Sequence, residues 1–251
     1  MTPTFPPTVR EVRYPESDGL PMSDNTLQFK WIVTLQGNID GMFADNPNVF
    51  VAGDLLWYPV EGDNKTRNAP DVFVAFGRPK GERGSYRQWE EGGVAPQVAF
   101  EVLSPSNRAA DLVAKFAFYE KYGVEEYYIW DPDRIKLEGF LRKDGKFADI
   151  AETDGWASPR LGIRFDMSGD DLVVWKPDGE RFLTYREAVA SRQEQARIAE
   201  KESRRAEEES RRAEEERMAR LQAQQRADKA EERTRLLSEK LRELGIDPEG
   251  M

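Results

Sequence analysis

The sequence predicts an α+β (mixed α/β) domain followed by a long C-terminal α-helix. Three observations carry this expectation. Strand-length runs rich in β-branched and aromatic residues recur at 48–60, 70–77 and 96–104. Helically spaced apolar residues occur before the first run and after the third. From Arg186 to Leu244 there is no Pro or Gly, and charged residues dominate.

Residues 1–23 carry several prolines and no clear period, and read as an extended arm. "SDNTLQFKWIVTLQGNI" places apolar residues at 27, 31, 32 and 35, one face of a helix, with Ser23 or Asp24 as its cap. "NVFVAGDLLWYPV" reads as a strand broken by Pro59, and "PDVFVAFG" as a second strand. A long, Gly-rich, partly basic connection follows, then a third strand, "PQVAFEVLS". "SPSNRAADLVAKFAFYEKYG" returns to helical spacing at 112, 113, 116, 119 and 122, with Asn107 as N-cap and Gly123 as the stop. "VEEYYIWDPD", "RIKLEGFLR", "KFADIAE", "RLGIRF", "DLVVWKPDG" and "RFLTY" complete the domain as short strands. The expected divisions are the arm at 1–23, a domain at 24–185 and a charged helical tail at 186–251.

In the tail, "ESRRAEE" occurs twice in succession, at 202–208 and 209–215. Ala223, Ala227, Ala230, Thr234, Leu237, Leu241 and Leu244 follow the 3-4 spacing of a coiled-coil seam, which fails upstream at Glu216 and Arg220. A charged single helix held by i,i+4 pairs and a dimeric coiled coil both fit this pattern. "GIDPEG" then ends the helix.

Composition excludes much chemistry. The 251 residues contain no Cys and no His. Disulfides, thiolate metal sites, the usual zinc ligand and the imidazole base are therefore absent. No apolar stretch approaches the ~20 residues of a membrane helix, and a cytoplasmic protein with no membrane partner is expected. Net charge is −10. Residues 1–185 hold 21 Lys and Arg against 30 Asp and Glu, an acidic body that argues against broad, non-specific binding of nucleic acid.

Two apolar runs carry acids where Val or Ile would serve packing better: Asp71 opens "DVFVAFG", and Glu101 interrupts "PQVAFEVLS". A buried, unpaired carboxylate costs several kcal/mol unless it meets a partner such as a metal ion. Turn-capping or a buried salt bridge is the plain alternative. Two carboxylates on neighbouring strands make an oxygen-only site suited to Mg2+ or Mn2+, and phosphodiester hydrolysis is the natural reaction class. Lys115 is the candidate amine. Asp111, Lys115 and Tyr119 share a helical face directly after the Glu101 strand. An i,i+4 surface pair between Asp111 and Lys115 fits the same spacing.

In order, "APDVFVAFG", "PQVAFEVLSPSN" and "DLVAKFAFYEKYGVEEYYIWDPD" resemble the Uma-two family of restriction-endonuclease-like proteins, within the PD-(D/E)XK nuclease superfamily. The likeness spans about Val49 to Tyr185, and the closing "LRELGIDPEG" is similar as well. The resemblance implies a restriction-endonuclease-like PD-(D/E)XK core and a Mg2+-dependent endonuclease acting on DNA. Asp71 and Glu101 would be catalytic and bind the metal, and the Val102 carbonyl would complete the ligands. Leu103 stands where the superfamily's lysine is expected, and Lys115 on the next helix matches the family's displaced lysine. On this reading Asp111 and Tyr119 orient Lys115.

Three further expectations follow. Asp54 is either a third acid at the site or a bulge residue beside Gly53. Arg78, Lys80, Arg83 and Arg87 make the loop before the Glu101 strand basic and are candidates for phosphate contact. Cleavage of two strands favours a homodimer, with the C-terminal helix as the dimerisation arm. An inactive nuclease-fold scaffold that works through its tail, and a nuclease acting on RNA, remain open alternatives.

Overall fold

The computed structural model describes residues 12–17, 19, 21–243 and 245. Residues 1–11 of the expected arm, Leu244 of the expected seam and the expected stop at 246–250 lie outside the described residues. The chain divides into two compact units, Met1–Ala188 and Val189–Met251.

The first unit begins with helix α1, Thr26–Met42. Its cap is Asn25, whose side chain accepts from the Gln28 N–H; neither Ser23 nor Asp24 takes that role. The strands are β1 (Val49–Gly53), β2 (Trp57–Tyr58), β3 (Val72–Phe76), β4 (Tyr86–Arg87) and β5 (Val98–Val102). The run "NVFVAGDLLWYPV" breaks at Asp54, before the expected Pro59, because Asp54 takes a left-handed backbone with φ 48°. Helix α2 (Ala109–Tyr122) follows, then β6 (Glu126–Asp131), β7 (Lys136–Lys143), β8 (Lys146–Asp149), β9 (Arg164–Asp166) and β10 (Val173–Trp175). "RFLTY" forms no strand; it touches β10 through one bridge, Trp175 to Arg181.

Six strands form one sheet in the order β1-β3-β5-β6-β7-β8. Neighbours are antiparallel except β5 and β6, which run parallel because α2 carries the chain back between them. β2 pairs in parallel with β4, and β9 with β10 in antiparallel, as two small sheets.

Alternation along the strands sorts two cores. Val72, Val74, Val98, Phe100 and Val102 face α1, where Trp31, Ile32, Leu35 and Ile39 cover them. Phe73, Ala75, Ala99, Tyr127 and Ile129 face the other way, beneath Tyr119 of α2 and Trp57 of β2. The aromatic residues of α2 and β6 are thus core material on both faces.

Helix α3, Tyr185–Glu243, spans 59 residues and buries none of them. It opens on a capping box. The Thr184 N–H donates to Glu187 Oε2 at 2.9 Å, and Glu187 is held well below the usual carboxylate range, at about 2, first by Arg181 and then by Thr184. Along the second unit, i,i+4 pairs such as Glu200–Arg204 and Glu216–Arg220 recur.

Gly123 ends α2 in a left-handed conformation, φ 103°, with its N–H donating to the Tyr119 carbonyl. An added Cβ would meet only Ala95, at an ordinary 3.5 Å. The cost of Gly123→Ala is therefore conformational, about 1–2 kcal/mol, and a lowered denaturation midpoint with retained secondary structure is the expected result.

Candidate active site

The site grows from strand register. β3 and β5 pair with Val72 opposite Phe100 and Phe73 opposite Ala99. Continuing that register by one residue sets Asp71 opposite Glu101, where the ladder stops. Side chains directly opposite in an antiparallel pair have Cβ atoms about 4.5–5.5 Å apart. Two carboxylates therefore confront each other at one end of the sheet, on the face that α2 covers.

Asp71 also terminates the ladder. Its Oδ2 accepts from the Val102 N–H at 2.6 Å, in place of the backbone carbonyl a continuing strand would supply. The Val102 carbonyl is met from α1, where Gln28 Nε2 donates to it at 2.9 Å. The other amide atom, Gln28 Oε1, accepts from the Asp24 N–H at 2.8 Å. Gln28 thus links the first turn of α1 to the end of β5. It escaped the sequence reading, although the signal was there: position 28 lies on the same helical stripe as Trp31, Ile32 and Leu35, and a buried amide interrupts it.

Glu101 is 3% exposed and fully engaged. Lys115 Nζ donates to its Oε2 at 2.5 Å, and the Tyr119 hydroxyl donates to its Oε1 at 2.6 Å. Tyr119 is locked by Trp57, stacked with rings 6.3 Å apart at 5°, and by Tyr127, edge-on at 5.0 Å. Lys115, with 24% of its side chain exposed, is the most accessible of these groups.

The electrostatics follow from burial and likeness of charge. Burial first, and then the facing Glu101, push the Asp71 carboxyl up to about 8 against the pull of Lys115. Burial disfavours the Lys115 ammonium, but Glu101 and Asp71 outweigh it and raise its pKa, so Lys115 stays charged. Burial, then Glu101, drives the Tyr119 hydroxyl well above its ordinary value; it remains a donor.

The structure brings Asp71, Glu101, Val102, Lys115 and Tyr119 together. Tyr119 holds Glu101, whereas the sequence reading had it orienting Lys115. Asp111 is not part of the assembly: it faces solvent and pairs with Arg108 at 3.0 Å, because the first turn of α2 projects past the sheet. The N-cap of α2 is Arg108; Asn107 instead accepts from the Ser104 N–H. Asp54 donates its backbone N–H to the Asp71 carbonyl at 3.2 Å, and its charge reaches Asp71 and Lys115. Among the described residues no group of three or more acids is placed to hold a metal, so Asp54 is not a third ligand in a ready-made cluster.

The basic loop is mostly misplaced and neutralised. Arg78 and Lys80 follow the far end of β3, about 16 Å from Asp71 along the strand, because β3 leads away from the site. Lys80 pairs with Asp40, Arg83 with Glu91 and Arg87 with Glu90. Arg83 also lies over the Phe50 ring, 3.9 Å from its centre. These contacts fold the loop.

Comparison with known proteins now bears on the geometry. Residues 21–168 match the sequence profile of Uma2, described as "Putative restriction endonuclease". The chain belongs to the Uma2 family. The motifs that resembled this family on sequence lie, in this Uma2 chain, on β3, β5, α2 and β6. A crystal structure described as a "putative nuclease belonging to DUF820" from Anabaena variabilis is similar at 15% sequence identity and a TM-score of 0.43. That similarity covers 55% of this chain and 75% of that one. No curated protein matches the chain.

Two outcomes are expected for the metal-free protein. Gln28→Leu leaves the Val102 carbonyl buried without its donor and should cost about 1–3 kcal/mol by chemical denaturation. The second concerns pH. Asp71 titrates at about 8 when folded against 3.8 ordinarily, so the folded state keeps a proton that the unfolded chain loses between those values. This contribution to stability is complete below about pH 4 and is lost as pH rises towards 8. Unfolding free energy should decline over that window in the wild type and decline less in Asp71→Asn; equal slopes would refute the assignment.

Proposed function

We propose that this chain is a metal-dependent nuclease that hydrolyses DNA phosphodiester bonds. The observation that carries the proposal is the facing pair of Asp71 and Glu101, with the Lys115 ammonium 2.5 Å from Glu101. Membership of a family described as "Putative restriction endonuclease" supports the reaction class. The working location we infer is the cytoplasm; among the described residues no helix is long and apolar enough to cross a membrane.

The donor set suits a small, hard cation. It offers two carboxylates and a backbone carbonyl, all oxygen, in a chain without His or Cys. Magnesium is commonly held by one or two carboxylates and keeps several waters, so two acids suffice. Asp71 and Glu101 would bind it, and the Val102 carbonyl retains one lone pair beyond the Gln28 bond. Mn2+ fits the same donors. When bound, the ion supplies charge neutralisation at a phosphate oxygen and lowers the pKa of a water.

The chain's own groups do the rest. In hydrolysis a water oxygen bonds to phosphorus, the bond from phosphorus to the leaving oxygen breaks, and that oxygen gains a proton. Lys115 places a fixed positive charge where the attacked phosphate gathers negative charge. Tyr119, held by Trp57 and Tyr127, fixes the Glu101 carboxylate through Oε1. Gln28 fixes the Val102 carbonyl from the opposite face. The surrounding aromatic core excludes bulk water and strengthens each interaction. Pairing of two copies through the 223–241 stretch of α3 would serve cleavage of two strands.

The test combines calorimetry and cleavage. Mg2+ or Mn2+ should bind the wild type and Lys115→Met, and should not bind Asp71→Asn or Glu101→Gln. With duplex DNA, both acid variants should fall to background and Lys115→Met should lose about 10²–10³-fold in kcat. Full activity in Lys115→Met, or cleavage that survives chelation of divalent ions, refutes the mechanism. Parallel incubation with single-stranded DNA and RNA defines the substrate. A folded wild type that binds no divalent ion even with DNA present points to an inactive scaffold.

A further inference from the structure

We propose that the loop from Asp54 to Asp71 is the surface that grips the phosphate backbone of duplex DNA, through Lys65, Arg67 and Arg13. The proposal rests on the nuclease reading above. The Asp54 N–H donates to the Asp71 carbonyl at 3.2 Å, which closes the intervening residues into a compact surface loop whose two ends lie at the acid pair.

The loop is held in shape. Trp57, which stacks on Tyr119, exchanges backbone hydrogen bonds with Asn68 at 2.7 and 3.2 Å. Asp63 accepts from the N–H groups of Lys65 and Thr66 at 2.8 and 3.1 Å, forming the turn that carries Lys65 outward. Asn64 gathers the other two cations. Its carbonyl accepts from Arg67 Nη1 at 3.0 Å, and its side-chain Nδ2 donates to the Arg13 carbonyl at 2.8 Å.

Charge pairing separates this loop from the one the sequence favoured. Among the described residues, Arg13, Lys65 and Arg67 make no ion pair, whereas Lys80, Arg83 and Arg87 each have a carboxylate partner. The acids of this segment are Asp54 and Asp71 at its two ends, Glu61, which is exposed, and Asp63, whose Oδ1 is committed to the turn and whose charge is felt by Lys65. A cation with no carboxylate at ion-pair distance meets a phosphate without breaking a salt bridge, and each such contact contributes about 0.9 to the slope of log K against log salt.

The experiment measures the affinity of a fluorescent duplex as a function of KCl in chelator, where no cleavage occurs. Lys65→Gln/Arg67→Gln should lose about 10-fold or more in affinity at low salt, with the salt slope reduced by about 2. Arg78→Gln/Lys80→Gln, at the far end of β3, should keep the wild-type slope. Lys65→Glu, a change at an exposed side chain, gives the same direction independently of Arg67. Unaltered slopes in both Lys65 variants, with a wild type that does bind, overturn the loop assignment and leave the nuclease reading standing. Equal loss in the Arg78/Lys80 variant overturns it too. A wild type that binds no duplex at any salt refutes the nuclease reading, and this proposal with it.

Discussion

The arrangement depends on one constraint: a strand register that sets two carboxylates opposite each other where the β3–β5 ladder ends. Like charges directly opposite on a sheet repel, and burial amplifies the repulsion. Each neighbouring element offsets it in a definite way. Lys115 brings a positive charge from α2, Tyr119 a hydroxyl from the next turn, and the Val102 N–H satisfies Asp71. Gln28 then meets the Val102 carbonyl that the interrupted ladder leaves open. The residual strain appears as a carboxyl at Asp71 that holds its proton to about pH 8. A divalent cation is the partner that would relieve it, which is why the same geometry reads both as a structural cost and as a reason for function.

Strand direction separates the two basic segments in space. β3 starts at the acids and runs away from them, so the loop after it, carrying Arg78 and Lys80, emerges at the far end of the sheet. The segment before β3 returns to the acids. Sequence distance is misleading here, because Lys80 and Lys65 stand at comparable separations from Asp71 along the chain. Lys80 is held in an ion pair with Asp40, whereas Lys65 is exposed on the segment that ends at the site.

Much of this was legible in the residues. Strand-length apolar runs located β1, β3, β5 and β6, and the switch to helical spacing located α2, including its stop at Gly123. Asp71, Glu101 and Lys115 were legible together because a strand–loop–helix unit this short must fold its helix back over its strand. The misses share a cause: they turn on which atom meets which. Asn25 rather than Asp24 caps α1, because only one side chain reaches the Gln28 N–H. Asp111 sits one turn before Lys115 yet hangs beyond the sheet, so the shared helical face does not carry it to Glu101. The pairing between Tyr119 and Glu101 depends on the depth of α2 over β5, which no periodicity encodes.

A third buried acid sharpens the criterion. Glu126, at the start of β6, is 1% exposed and resembles Glu101 in sequence setting: a carboxylate in an apolar, aromatic run. Its surroundings differ in kind. It accepts from the hydroxyls of Tyr128 and Ser158 and from the Arg160 N–H, and so pins the segment that leads into β9. Those donors are neutral, and two of them, Ser158 and Arg160, come from the segment before β9. Val98, its neighbour across the parallel β5–β6 pair, is apolar. Glu126 is therefore a fastening, satisfied without any added ion. Glu101 has comparable burial and good hydrogen bonds, but it faces another acid and leans on an ammonium. The mark of the candidate pair is thus the register that opposes Glu101 to Asp71, since a buried carboxylate taken alone is as well explained by packing.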